Sequence, residues 1–270
     1  MNSIAFIDTE IDSKSQKILD IGCIKDDGTI MHRNSISDLI QLINGVPFIC
    51  GHNILNHDIK YIGRELANAG VKAVVDTLYW SPLLFPTRPY HALLKDDKLQ
   101  TEELNNPLND AIKAKDLFYD ELTAFNLLDK DLQDIFYYLL HDKREFRAFF
   151  QYISYVPNQQ RFQEFIRLIS FNSTQQNTAE IIIRKRFKNQ ICENVLLSKF
   201  ITEHPIELAY CLSLINSFVQ NKNIHSITPP WVLKNFPEIE RILFILRNKP
   251  CISGCEYCNE TLNIHKGLKR

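Results

Sequence analysis

The sequence predicts an α/β fold, followed by an all-helical domain and a small cysteine-rich tail. Three observations carry this. Strand-like apolar runs are confined to the residues before about position 80. Apolar residues at helical spacing dominate the remainder of the chain. Three cysteines fall within the final 20 residues.

Ile4–Ile7 reads as an apolar strand; if it runs on to Ile11, its side chains alternate faces. Lys17–Lys25 alternates Ile18, Asp20 and Gly22 against Leu19, Ile21 and Cys23, a second strand. Asp26-Asp27-Gly28 is a turn signal, with Thr29–His32 as the returning strand. Ser35–Asn44 suits an amphipathic helix, and Val46–Cys50 a buried strand. His57–Ala69 reads as a helix that stops near Gly70, and Val74–Leu78 as another short strand. Leu108–Leu128 has helical spacing, with Pro107 in its first turn. The order β-β-β-α-β-α-β-α places the first domain at 1–128. Residues 129–250 carry helical patterns such as Leu132, Ile135, Phe136 and Leu139, interrupted by the polar stretch Asn172–Asn177, read as a loop. Residues 251–270 form the tail.

Forty-five per cent apolar residues suffice for sizeable cores, and a net charge of −1 excludes long-range attraction to polyanions. Nucleic acid would need local patches or bound metal. No run approaches the ~18 apolar residues of a membrane span, and the N-terminus lacks the pattern of a secretory signal. Seven cysteines, an odd number with three close together, favour metal binding in a reducing compartment over a disulfide framework. The expected location is cytoplasmic.

Asp8 and Glu10 are two residues apart on the first strand, so their side chains share a face. Like charges on one face repel unless a cation lies between them, and hard divalent cations prefer carboxylate oxygen. Asp58 lies at the start of the helix after Gly51-His52-Asn53, and Asp110 in the first turn of the helix from Leu108. The helix dipole alone favours an acid at either place, but not all four acids in this order.

The residues IDTE (Ile7–Glu10), GHNILNHDIKYI (Gly51–Ile62) and NNPLNDAIKAKDLF (Asn105–Phe118) resemble the three exonuclease motifs of the DEDD superfamily of 3′–5′ exonucleases. Val75-Asp76-Thr77-Leu78 is similar to the Asp-Thr strand these domains carry between the second and third motifs. The resemblance covers about residues 1–128. It implies an RNase H-like mixed sheet with flanking helices, and two Mg²⁺ or Mn²⁺ ions held by Asp8, Glu10, Asp58 and Asp110. It also implies hydrolysis of phosphodiesters at a 3′ end, with Thr9, His52 and Asn53 along the path of the nucleic acid. The chain departs from the family at one place. Where the His-type branch has its general base this chain has Asn105, and where the Tyr-type branch has tyrosine it has Asn106. An amide orients water but takes no proton near neutral pH. That change predicts a slow enzyme, or a module that binds ends without turnover. His91 and His57 are the substitute bases, with His91 placed first.

Cys251, Cys255 and Cys258 give the spacing Cys-x₃-Cys-x₂-Cys, which suits a structural zinc ion. His265 is the expected fourth ligand; Cys192, Cys211 or His225 from the helical domain would instead staple the tail to that domain. Thr228–Val232, Phe236-Pro237 and the cysteine cluster through Arg270 are similar to the region preceding the helicase core in bacterial RecQ-type helicases with an N-terminal exonuclease domain. That likeness implies a helicase core as partner, in cis or in trans, and single-stranded DNA 3′ ends as substrate. The run Arg184-Lys185-Arg186 is either a phosphate contact or a solvated helix face.

Overall fold

Alternation along the first 25 residues builds the middle of a sheet. The computed structural model describes residues 2–88, 91, 93, 106–157, 175–220 and 228–262. Strand β1 (Ile4–Ile11) pairs antiparallel with β2 (Ile18–Lys25), which pairs antiparallel with β3 (Ile30–His32). On its other side β1 runs parallel to β4 (Phe48–Gly51), and β4 runs parallel to β5 (Ala73–Asp76). The five strands lie in the order β3-β2-β1-β4-β5, so β1 is central. Ile4 to Ile7 are all buried, as a strand covered on both faces requires. Gly28, at φ +87°, takes the left-handed position of the β2–β3 turn.

Helix α1 (Ile36–Leu42) starts at Ser35, whose hydroxyl accepts the Asp38 N–H. Helix α2 (Ile59–Asn68) buries Ile62 and Leu66, one turn apart. Helix α3 (Thr77–Leu84) begins at Thr77, so the strand expected to reach Leu78 stops at Asp76. Most of α3 is buried around its whole circumference, Trp80 and Leu83 included, so no 3.6-residue polarity marks it in the sequence.

Helix α4 (Pro107–Leu127) buries Ala111, Ala114, Phe118 and Phe125 along one stripe. Asn106 caps it, its Oδ1 accepting the N–H groups of Leu108 and Asn109, and Pro107 takes the first position, where no N–H is needed. Trp80 is the hub of an aromatic core. It stacks on Phe149 at 4.1 Å and meets Phe125, Phe146 and Phe150 edge-on. Truncating such a fully buried aromatic costs about 3–5 kcal/mol.

The other described elements are also helical: α5 (Lys130–Leu140), α6 (Arg147–Tyr152), α7 (Gln175–Arg186), α8 (Leu197–Glu203), α9 (Pro205–Gln220), α10 (Pro230–Asn235), α11 (Glu238–Arg247) and α12 (Glu256–Thr261). The chain divides into two compact units. Unit 1 comprises Met1–Leu84, Tyr90–Phe125 and Asp142–Tyr155; unit 2 comprises Phe85–Pro89, Asn126–His141 and Val156–Arg270. The stretch Asp142–Tyr155, read from sequence as part of the helical domain, therefore packs in unit 1, where Phe146, Phe149 and Phe150 meet Trp80. Gln175–Asn177, read as the end of a loop, instead opens α7; residues 172–174 lie outside the described set. In unit 2, α5 packs on α7 and α9, and α9 on α8 and α11. No helix among the described residues is long and apolar enough to cross a membrane.

Candidate functional site

Asp8 and Glu10 project from one face of β1, at the centre of the sheet. In the register with β2, Asp8 faces Gly22 and Glu10 faces Asp20. Gly22 decides what covers that face. A Cβ on Gly22 would lie 2.1 Å from both Leu108 N and Pro107 C. Only a residue without a side chain lets the first turn of α4 rest on the strand there. That turn carries Asp110. Ligand oxygens of Asp8, Glu10 and Asp110 consequently lie within 4.8 Å of one another, each residue half-buried. Carboxylates this close repel, and a hard divalent cation relieves the repulsion. The three acids could hold such an ion.

Asp58 is bonded to the same stretch of β1. Its Oδ1 accepts the Thr9 backbone N–H at 2.8 Å and the Thr9 hydroxyl at 2.6 Å. It is buried, and it is tied to the residue between Asp8 and Glu10 without belonging to the group of three. Asn105, expected to orient the attacking water, lies outside the described residues.

The loop that brings Asp58 here is held by Asp76. This carboxyl, at the end of β5, accepts the N–H groups of Asn53 and Leu78 on Oδ1 and of Leu55 on Oδ2. Burial pushes its pKa up to about 7, against the pull of those donors. The sequence placed His52 and Asn53 on a nucleic-acid path. The structure also gives them internal duties. His52 Nδ1 lies 2.9 Å from the Thr77 hydroxyl, and Asn53, at φ +60°, accepts from Asn56. Burial, with His91 nearby, lowers the His52 pKa to about 4. Thr9 is buried and engaged by Asp58.

The two histidines considered as substitute bases lie in different surroundings. His91 is buried, with Nδ1 2.7 Å from the Ser81 hydroxyl. A helix beginning at residue 57 would turn His57 away from Asp58. The helix starts at Ile59 instead, after a turn, and His57 Nδ1 stands 3.8 Å from Asp58 Oδ2. Asp58 raises the His57 pKa above the usual imidazole value, and Glu10 adds to the effect. Sequence reasoning missed Gly22 and the Asp20–His32 pair, whose Oδ2 and Nε2 lie 2.6 Å apart on the same face as Glu10. Only the strand register reveals them.

In unit 2 the thiols of Cys192, Cys251, Cys255 and Cys258 all lie within 4.8 Å of one another. Cys255 and Cys192 sulfurs are 3.9 Å apart. A zinc tetrahedron with ~2.3 Å bonds has sulfur–sulfur edges of about 3.8 Å, whereas a disulfide needs ~2.05 Å. The cluster could hold one zinc ion. Cys192, between α7 and α8, is anchored by its N–H to the Leu246 carbonyl. The N–H of Cys255 and the amide of Asn194 draw the Cys251 thiol down to about 5, while burial pushes Cys192 up. The tail is thus closed by a remote cysteine. His265 and His225 lie outside the described residues, and Cys211, on α9, donates to the Ile239 carbonyl instead.

The basic run makes several local ties. Arg184 binds Glu180 and the carbonyls of Glu193 and Val195; Lys185 lies 3.4 Å from Asp131; Arg186 binds Asp129 and Asn216. These are ties within unit 2. No protein-family model matches the chain, and neither does any curated protein or solved structure.

Proposed function

We propose that this chain is a metal-dependent 3′–5′ exonuclease of the DEDD type with an RNase H-like first domain. One observation carries the reading: Asp8, Glu10 and Asp110 bring ligand oxygens within 4.8 Å, and Asp58 is bonded to Thr9 between the first two. The mixed sheet with flanking helices supports it. These are the four acids, in the order of the three motifs. They would hold two Mg²⁺ or Mn²⁺ ions. Such ions supply Lewis acidity toward the scissile phosphate and its attacking water.

The residues of the chain do the rest. Asp58, locked by two hydrogen bonds from Thr9, keeps α2 in register with β1. Asn106 and Gly22 hold Asp110 in place. His57, beside Asp58, is the imidazole placed to take the proton that an amide at 105 cannot. The substrate is the 3′ end of a single strand, with DNA favoured by the helicase-like C-terminal stretch, and a RecQ-type helicase core is the expected partner. Seven free cysteines suit a reducing cytoplasm, and one zinc ion on the thiol cluster stiffens unit 2.

The test is release of a 3′-terminal label from single-stranded DNA with Mn²⁺. Asp8→Ala should lower the rate by about 10³-fold, since several kcal/mol of Lewis-acid stabilisation are lost. Equal release from both proteins would end this proposal.

A further inference from the structure

Unit 2 contains a groove that neither the acid site nor the basic run on α7 explains. It encloses about 570 Å³ between α8, α11 and the residues leading into the thiol cluster. That volume is in the range of about 300–1,000 Å³ found for ligand sites. Its lining combines three cations, Lys199, Arg241 and Lys249, with the apolar Leu196, Phe200 and Ile252. Among the described residues no carboxylate lines it. Lys199 reaches Glu203 only at 3.9 Å, and Arg241 donates to Glu238 through Nε, which leaves its other guanidinium N–H groups for a ligand. Leu196 is 73% exposed and Ile252 fully so, although both belong to a well-packed helical unit. Cys192 and Cys251 form part of the wall, so a filled zinc site would fix the groove's shape.

We infer that this groove is a second binding site for single-stranded nucleic acid, remote in sequence from the acids of unit 1. A lining that carries three cations and, among the described residues, no carboxylate of its own fits a phosphate backbone. The exposed branched side chains of Leu196 and Ile252 among them offer apolar surface to the faces of unstacked bases, above a floor that includes the buried Phe200. A small inorganic anion would leave Leu196 and Ile252 unused. A base-paired duplex would hide the bases they are placed to meet. The choice of nucleic acid over other polyanions rests on the nuclease reading; the demand for an anionic, partly apolar ligand does not.

The experiment measures binding rather than cleavage. The full zinc-loaded chain carrying Asp8→Asn is titrated into labelled oligothymidylate at several salt concentrations. Adding Lys199→Glu and Lys249→Glu should weaken binding at least tenfold. The salt slope should fall by about 0.7 per cation removed. Ile252→Ser should weaken binding about threefold and leave the slope unchanged. Zinc content serves as the folding control. If the double variant loses zinc, the exposed Ile252→Ser substitution decides the matter alone. Unchanged affinity in the variants would overturn the inference. So would equal affinity for duplex, or displacement by oligoglutamate as effective as by oligothymidylate, which would make the groove a peptide site. Failure of the nuclease reading has a different signature: no label release from the chain with Asp8 intact, whatever these titrations show.

Discussion

The acid cluster of unit 1 and the thiol cluster of unit 2 could each hold a metal ion, and they are built by opposite means. The acids are hard oxygen donors set by secondary structure: two half-buried on one strand, one half-buried in a helix's first turn, and one buried and held by two hydrogen bonds from the strand. The thiols are soft donors, mostly buried, and set by a loop and a tail that meet from 59 residues apart (Cys192 to Cys251). The sheet and helices that carry the acids exist for packing reasons of their own. The tail helix that carries Cys258 is short and has few buried side chains. A site built on a rigid scaffold tolerates loss of its ion; a site that is itself the scaffold does not.

The sharpest break of this contrast is Cys192→Ser. It should remove zinc from the protein and destabilise it by on the order of 4 kcal/mol. For a chain of this size that lowers the melting temperature by roughly 8–16 °C. Chelation of the parent chain should reproduce the loss. Removing Mn²⁺ or Mg²⁺ from the acids should barely move the melting temperature. An equal fall on both treatments would erase the distinction.

Gly22→Ala attacks the acid site through its scaffold. The new methyl group must push the first turn of α4 off the strand, at a stability cost of about 1–3 kcal/mol. A displacement near 1 Å at Asp110 should cost about 10²-fold in label release. Zinc content should stay constant. Full activity in this variant would mean that α4 does not set Asp110 through Gly22.

His57→Gln should leave both metal contents and the fold intact. It should lower kcat by about 10²-fold with little change in KM, since proton transfer is lost rather than binding. A change confined to KM would make His57 a substrate contact.

The smallest effect concerns pH and the loop behind Asp58. His52 titrates near 4 in the fold against 6.5 ordinarily, because its burial disfavours the cation. Between those values the unfolded chain binds a proton that the folded chain refuses. Stability is therefore full above pH 6.5 and is lost as pH falls toward 4. At a pH about one unit below the ordinary value the penalty is about 1.4 kcal/mol. His52→Gln should flatten that limb of a denaturation-versus-pH profile, and an unchanged limb would assign it to other groups.

The elements that sequence periodicity revealed are those with one dry face. α2 and α5 repeat at helical spacing, and the bounds of α2 fall within two residues of the expected ones. α3 left no such trace because burial on nearly all sides leaves no polarity to read. The membership of Phe146, Phe149 and Phe150 was equally hidden, since their spacing says helix but not which core receives it. At the site, Asp8 and Glu10 were legible because a strand's period is two. The place of His57 was not, because it turns on two residues of helix boundary, enough to swing a ring from one side to another.

By itself the sequence determined which atoms are available: four acids at strand ends and helix starts, and three thiols in a short tail. Those follow from local spacing, which obeys fixed periods. Tertiary structure alone decided that Gly22 seats α4 on the sheet beside β1, that Asp76 holds the loop before Asp58, and that Cys192 closes the thiol cluster. These depend on strand register and on contacts between distant segments, and no local period encodes either.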